Sequence, residues 1–139
     1  MDYREAGLET IYNRIYENRV ALGLKGFKRS PTKAIDEKYI PCVFMIEDVD
    51  EVMEISSRDK LGYPMRRQLE VVLEIVTDRS YDIKKLYRDV RSVVLAGDPV
   101  VADNTFIREI RTEGPTGYGL PDVLGMRLVL TMFYTDEGN

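Results

Sequence analysis

Met65-Arg66-Arg67-Gln68-Leu69-Glu70-Val71-Val72-Leu73-Glu74-Ile75-Val76-Thr77 is the stretch on which the fold turns. Read at period two, Met65, Leu69, Val71, Leu73 and Ile75 share one face. Arg66, Gln68, Glu70, Val72, Glu74 and Val76 share the other. Such alternation predicts a long strand with one face on a core. The pattern then changes to a helical period over residues 82–96, where Ile83, Leu86, Tyr87, Val90, Val93 and Val94 fall on one face. Asp82 fits the N-cap and Gly97 the position just past the end.

Downstream, residues 105–112 read as a strand. Residues 113–122, with Gly114, Pro115, Gly117, Gly119 and Pro121, read as a turn region. Residues 123–135 form the last strand, with Leu124, Met126, Leu128, Leu130, Met132 and Tyr134 on one face. Residues 136–139 form a frayed tail.

Upstream, residues 2–22 read as one helix. Leu8, Ile11, Tyr12, Ile15 and Arg19 lie on one face, Asp2 and Glu5 lie in the first turn, and Gly23 is the stop. Residues 23–38 lack either period and read as a flexible loop with a basic cluster at Lys25, Lys28, Arg29 and Lys33. Two short strands follow, over 39–47 and 51–56, around a turn at Asp48-Val49-Asp50. Pro41 belongs at the start of the first, because it cannot donate to a ladder. Residues 57–64 are a charged loop.

The order is therefore α-β-β-β-α-β-β. It predicts one α+β domain over residues 1–139, with a mainly antiparallel sheet of four to five strands and both helices on one face. The other face must meet water or a partner. It carries Val72, Val76, Val129 and Phe133 among Glu70, Glu74, Arg127 and Thr131. Four large apolar side chains among charges suggest a subunit contact rather than a solvated face. Arg66, Arg108 and Arg111 are expected to make inter-subunit ion pairs beside it, with Arg67, Arg88 and Arg91 as further basic residues. Tyr118, at the tip of the glycine-rich loop, is a candidate anchor for a partner.

The 139 residues suffice for a real core without disulfides or metals. With 44% hydrophobic and 32% charged residues, the chain has the make-up of a globular protein with a strongly charged surface. Its net charge of −4 gives no global field for nucleic acid, so no sequence-specific nucleic-acid binding is expected. The N-terminus has no apolar core of a signal peptide, and no apolar run is long enough for a membrane span. Cys42 stands alone, so no intrachain disulfide can form, and it reads as a buried small hydrophobe.

Histidine is absent, which removes Ser-His-Asp and Cys-His catalysis and histidine metal ligation. Glu70 and Glu74 sit about 13 Å apart along one strand, too far for a paired-carboxylate site. Asp48, Asp50 and Glu51 lack the spacing of a calcium loop. Gly114-Pro115-Thr116-Gly117-Tyr118-Gly119 lacks the Gly-Lys-Ser/Thr ending of a phosphate loop and precedes a strand. The expectation is no enzyme, no cofactor and no metal.

Three segments together resemble the tail terminator (tail completion) proteins of long-tailed bacteriophages. They are the strand Arg66–Ile75, the helix Asp82–Arg91 and the closing strand Gly125–Tyr134, and the leading helix matches as well. The resemblance implies a non-enzymatic virion protein of the tail or neck, assembled in the host cytoplasm. It also implies a homo-oligomer, a hexameric ring that caps the tail tube, stops its polymerisation and offers the docking surface for the head. Its partners would be the tail tube protein and a neck or head-completion protein, with the tail sheath as a further one. Three rivals remain. One is another neck, head–tail joining or baseplate subunit. The second is a small-molecule-binding regulatory domain, which would need a closed apolar pocket. The last is a metal-dependent nuclease using Glu70 and Glu74.

Overall fold

A helix and a short helical turn open the computed structural model, which describes residues 2–29, 37–55, 64–95 and 98–138. The helix α1 spans Tyr3–Tyr16, and the Asp2 carboxylate caps it by accepting the Glu5 N–H at 2.9 Å. Leu8, Ile11 and Ile15 are wholly buried, as their spacing predicts. The single helix expected over 2–22 is broken, however, and a separate turn α2 spans Arg19–Leu22. Asn18 causes the break: its side-chain amide donates to the Arg14 carbonyl at 2.7 Å, an alternative to continuing the ladder. Gly23, at φ 73°, ends α2 in the left-handed region that glycine adopts freely.

The loop expected over 23–38 contains a strand, β1 (Gly26–Arg29). Phe27 stacks on Tyr12 of α1 with ring centroids 4.7 Å apart, a tertiary contact that no local pattern reveals. Residues 30–36, with Pro31 and Lys33, lie outside the described part. A 3-10 turn at Glu37–Tyr39 precedes the cis Ile40–Pro41 bond and the strand β2 (Cys42–Ile55). Pro41 thus stands just before the strand, where its missing N–H costs nothing.

β2 is one strand where two were expected. Asp48-Val49-Asp50 is a bulge, not a turn: the register to β3 (Met65–Asp78) shifts between Glu47 and Asp50, and again between Val52 and Glu54. The Asp50 carboxylate, which reads locally as a turn residue, accepts from Arg4 Nε at 3.1 Å and from the Tyr134 hydroxyl at 2.6 Å. The charged loop expected over 57–64 lies almost wholly outside the described residues.

Helix α3 (Ile83–Leu95) starts at the expected cap, with Asp82 Oδ1 accepting the Lys85 N–H at 3.1 Å. Gly97, its expected end, is outside the described residues. A short strand β4 (Val100–Ala102) then pairs with β5 (Thr105–Gly117), and β6 (Val123–Asp136) closes the chain. β5 runs through the stretch expected to be a turn, including a cis Gly114–Pro115 bond, so the true turn is confined to 118–122.

The sheet order is β1-β2-β3-β6-β5-β4, parallel between β1 and β2 and antiparallel elsewhere. The α+β class agrees with the sequence reading. The curled sheet has six strands rather than four to five, and it is mixed. Both long helices pack on one face, against Leu69, Val71, Leu73 and Ile75 of β3 and Met126, Leu128, Leu130 and Met132 of β6. Each fully buried leucine or isoleucine there contributes about 1.5–3 kcal/mol. Among the described residues no helix is long and apolar enough to cross a membrane.

Candidate functional site

The face of the sheet opposite the helices is where the sequence places most candidate contact residues, with Tyr118 on the loop beyond it. Its register is set by three strands. Val72 pairs with Val129, whose partner on β5 is Arg111. Glu74 pairs with Arg127, whose partner is Glu113. Gln68 pairs with Phe133, whose partner is Phe106.

The residues assigned to this face do share it, but their exposure differs from expectation. Val72, Val76, Val129 and Phe133 are buried within the single chain, and so is Glu74. For Val72 and Val129 the reason is a ladder of alternating charge on the same face. Arg111 Nη2 meets Glu70 Oε1 at 3.1 Å and its Nε meets Glu113 Oε2 at 2.6 Å. Arg127 Nε meets Glu74 Oε1 at 3.0 Å, and its Nη1 lies 3.9 Å from Glu113 Oε1. Guanidinium groups lie flat on apolar surface while their heads stay wet, so these side chains roof the valines. The ion pairs expected between subunits at Arg111 are therefore made within the one chain.

Tyr118 does not project from a loop tip. Its ring lies on Gly125, where a Cβ would come within 2.7 Å of the Tyr118 Cδ2. Burial, the Glu74 charge and a hydrogen bond to Glu74 push its hydroxyl up to about 12. Cys42 lies under the same corner, and burial, with Glu74 beside it, raises its thiol to about 11. A thiol so raised stays protonated and unreactive at neutral pH. Val76 packs there with Ile40, Phe44 and Val123.

At the other end of this face the ladder stops and an open groove of about 490 Å³ begins, lined by Met53, Arg66, Phe106, Ile107, Arg108 and Phe133. The Phe106 and Phe133 rings lie 5.1 Å apart. Arg66 stands over Phe106 at 6.0 Å and Arg108 over Phe133 at 5.5 Å. Arg66 also donates to Thr135 Oγ1 at 2.8 Å. Arg108 makes no ion pair among the described residues. Of the sequence candidates, Arg66, Arg108 and Phe133 thus come together. Arg66 and Arg108 remain accessible, while Phe133 forms the floor.

Sequence reasoning missed Phe106 and Met53, which complete the groove. Phe106 alternates with Ile107 in the same strand pattern and was legible as a second-face residue. Met53 was not, because it sits at a bulge.

Acidic groups elsewhere are also neutralised. Asp50, Glu47 and Glu5 share Arg4, Arg29 and Arg67 between α1 and the sheet. Glu70 and Glu74, the carboxylates a metal-dependent nuclease would use, are each held by an arginine. Among the described residues no three acidic or cysteine side chains cluster as a metal site would require.

No protein-family model matches this chain, and no curated protein matches its sequence. Solved structures do match its fold. One is a chain of the virion of a native gene transfer agent (GTA) particle, with a TM-score of 0.58 and 14% sequence identity. The match covers 90% of this chain and 91% of that one, so the likeness is to a whole subunit of nearly the same length, and what it establishes is a shared fold.

Proposed function

We propose that this chain is a structural protein of a phage-like virion, and within it a tail terminator: a subunit that closes into a ring on the tail tube, stops its growth and presents the docking surface for the head. The observation that carries the reading is the end-to-end fold likeness to a chain of a gene transfer agent virion. The strand, helix and closing strand that resemble terminators supply the finer role. The chemistry of the open face supports it as well. Many of its charges are paired within the chain, and the groove beside Phe106 and Phe133 is open rather than enclosed, which suits a contact surface better than catalysis or capture of a small ligand. The partners of such a subunit are further copies of itself, the tail tube protein and a neck protein. Fold alone does not settle function, so the test must be functional.

The experiment adds the purified protein to tube protein that is polymerising. A terminator halts growth at substoichiometric amounts, and electron microscopy shows a ring at one tip of each tube. Tubes of unaltered length with no bound protein contradict the terminator role. Binding to a head–neck complex in place of the tube assigns the chain to head–tail joining instead.

A further inference from the structure

The two edges of the sheet differ in chemistry yet stand level with each other, and this bears on how copies meet. β1 covers only Cys42–Met45 of β2, so beyond Met45 β2 has no neighbour on that side among the described residues. β4 pairs with Thr105 and Phe106 of β5 and the Pro99 carbonyl accepts the Ile107 N–H, leaving β5 beyond Ile107 likewise uncovered among the described residues. Six of the eleven exposed large apolar side chains among the described residues lie on these edges. Val49, Val52 and Met53 are on β2, and Val100, Phe106 and Ile110 are on β4–β5. The β2 patch is acidic, whereas β5 beside the other patch offers a cation, with Asp98 and Asp103 exposed near the ends of β4. The β2 edge exposes Asp48 and Glu51, neither of which makes an ion pair among the described residues. The β5 edge exposes Arg108, also without one.

Register shows that the patches are level. Glu51 pairs with Gln68, Gln68 with Phe133, Phe133 with Phe106, and Phe106 with Val100. One row of paired residues thus runs across the sheet from one patch to the other. A head-to-tail contact between unlike surfaces makes a ring when each step is a pure rotation, and a filament when it includes a rise. Patches at the same height on opposite edges permit the step without a rise.

We infer that the acidic, apolar β2 edge (Asp48, Val49, Glu51, Val52) of one copy packs against the apolar, arginine-bearing β4–β5 edge (Val100, Phe106, Arg108, Ile110) of the next. The occupant of each edge is a second copy of this chain. The contact is made by side chains rather than by a continued ladder. Bulges at Glu47/Asp50, Val52/Glu54 and Glu109/Arg111 interrupt both edges and would block an open-ended strand pairing. This inference rests on the ring reading above and names the surfaces that ring would use.

The test is directional cross-linking. Val52→Cys and Ile110→Cys are made separately, and a short bis-maleimide is applied to each protein alone and to their mixture. Both positions are exposed, so the substitutions spare the core, and the native Cys42 is 2% exposed and serves as an internal silent thiol. The expected result is a cross-linked dimer in the mixture and none in either protein alone. Charge exchange gives a second readout. Arg108→Glu and Glu51→Arg should each weaken self-association at least tenfold, and the two together in one chain should restore it. Dimers from a single variant would show a like-to-like contact and overturn the inference. An oligomer that forms without the mixed cross-link would also overturn it while leaving the ring reading intact. No oligomer at any concentration, with or without tail tube, would remove the ring reading itself and the inference with it.

Discussion

Arg111 on β5 reaches across the full width of β6 to place its Nη2 3.1 Å from Glu70 Oε1 on β3. The side chain passes over Val129, its own register partner, and beside Val72. One long cation thereby turns an apolar strip that would need a partner into the interior of a single subunit. The free contact surface moves to the groove at the far end of the face and to the two sheet edges.

Removing that bridge should cost little but measurably. Arg111 is 47% exposed, so its ion pairs contribute about 0–1 kcal/mol. Its stem adds packing over Val129 that alanine cannot supply. Arg111→Ala should lower stability by about 1 kcal/mol, a fall of about 2–4 °C in Tm. Arg111→Lys should recover only part of this, because a lysine cannot fork between Glu70 and Glu113. Thermal unfolding followed by circular dichroism checks both.

Arg127 should matter more than Arg111, for a reason of burial. Its partner Glu74 has a side chain only 6% exposed, so Arg127→Ala leaves a buried carboxylate without its counter-charge and with the Tyr118 hydroxyl as a remaining partner. Breaking a buried pair costs about 3 kcal/mol, against about 1 for an exposed one. Adding Glu74→Leu to Arg127→Ala should recover most of the loss, since the stranded charge is then gone. Chemical denaturation of the single and double variants measures the difference.

Much of the fold was legible in the sequence where one period dominates. β3, α3 and β6 declare themselves by alternation or by 3.6-residue spacing, and the residues assigned to each sheet face do share it. The errors lie where tertiary partners override local composition. Asp48-Val49-Asp50 has the make-up of a turn, yet within a continuous strand Arg4 and Tyr134 donate to Asp50 Oδ2 and Arg67 lies 3.6 Å from its Oδ1. Phe27 lies in a stretch without period and is held by Tyr12. The exposure of Val72 and Val129 was misjudged because no periodicity reveals a side chain that crosses a neighbouring strand. Of the contact candidates, Arg66 and Arg108 were found by residue type, whereas Met53 and Ile110 lie at bulges and were invisible.

Gly7 offers a test of how α1 sits on the sheet. A Cβ there would lie 2.6 Å from Met132 Sδ and 2.7 Å from Thr105 Cγ2. Alanine would gain about 1 kcal/mol of helix propensity. Overpacking costs about 1–3 kcal/mol and should win, because Met132 and Thr105 are themselves buried. Gly7→Ala should therefore destabilise the protein, where an exposed helical glycine would give the opposite sign.

Acid should loosen the seam between α1 and the sheet. A hydrogen bond from Arg29 holds Glu5 below the ordinary carboxylate value of 4.5. At Glu47 burial pushes upward from 4.5, but hydrogen bonds and charges from Arg29 and Arg4 outweigh it, so this group is also lowered. A carboxyl depressed in the folded state gives stability that is present above its unfolded value and is lost as pH falls through the folded one. Urea midpoints should thus hold down to about pH 4.5 and fall below it. Arg29→Gln should start lower and show a shallower fall. Equal acid sensitivity in the two proteins would place the titrating groups elsewhere.

The central claim is that this subunit is made to close on itself. The most direct measurement is the mass of the purified wild-type protein by light scattering over a wide concentration range, repeated with tail tube present and paired with electron microscopy. A discrete species of about six copies, seen as a ring in solution or on the tube tip, is the predicted result. A monomer throughout, with no ring on any tube, would contradict it.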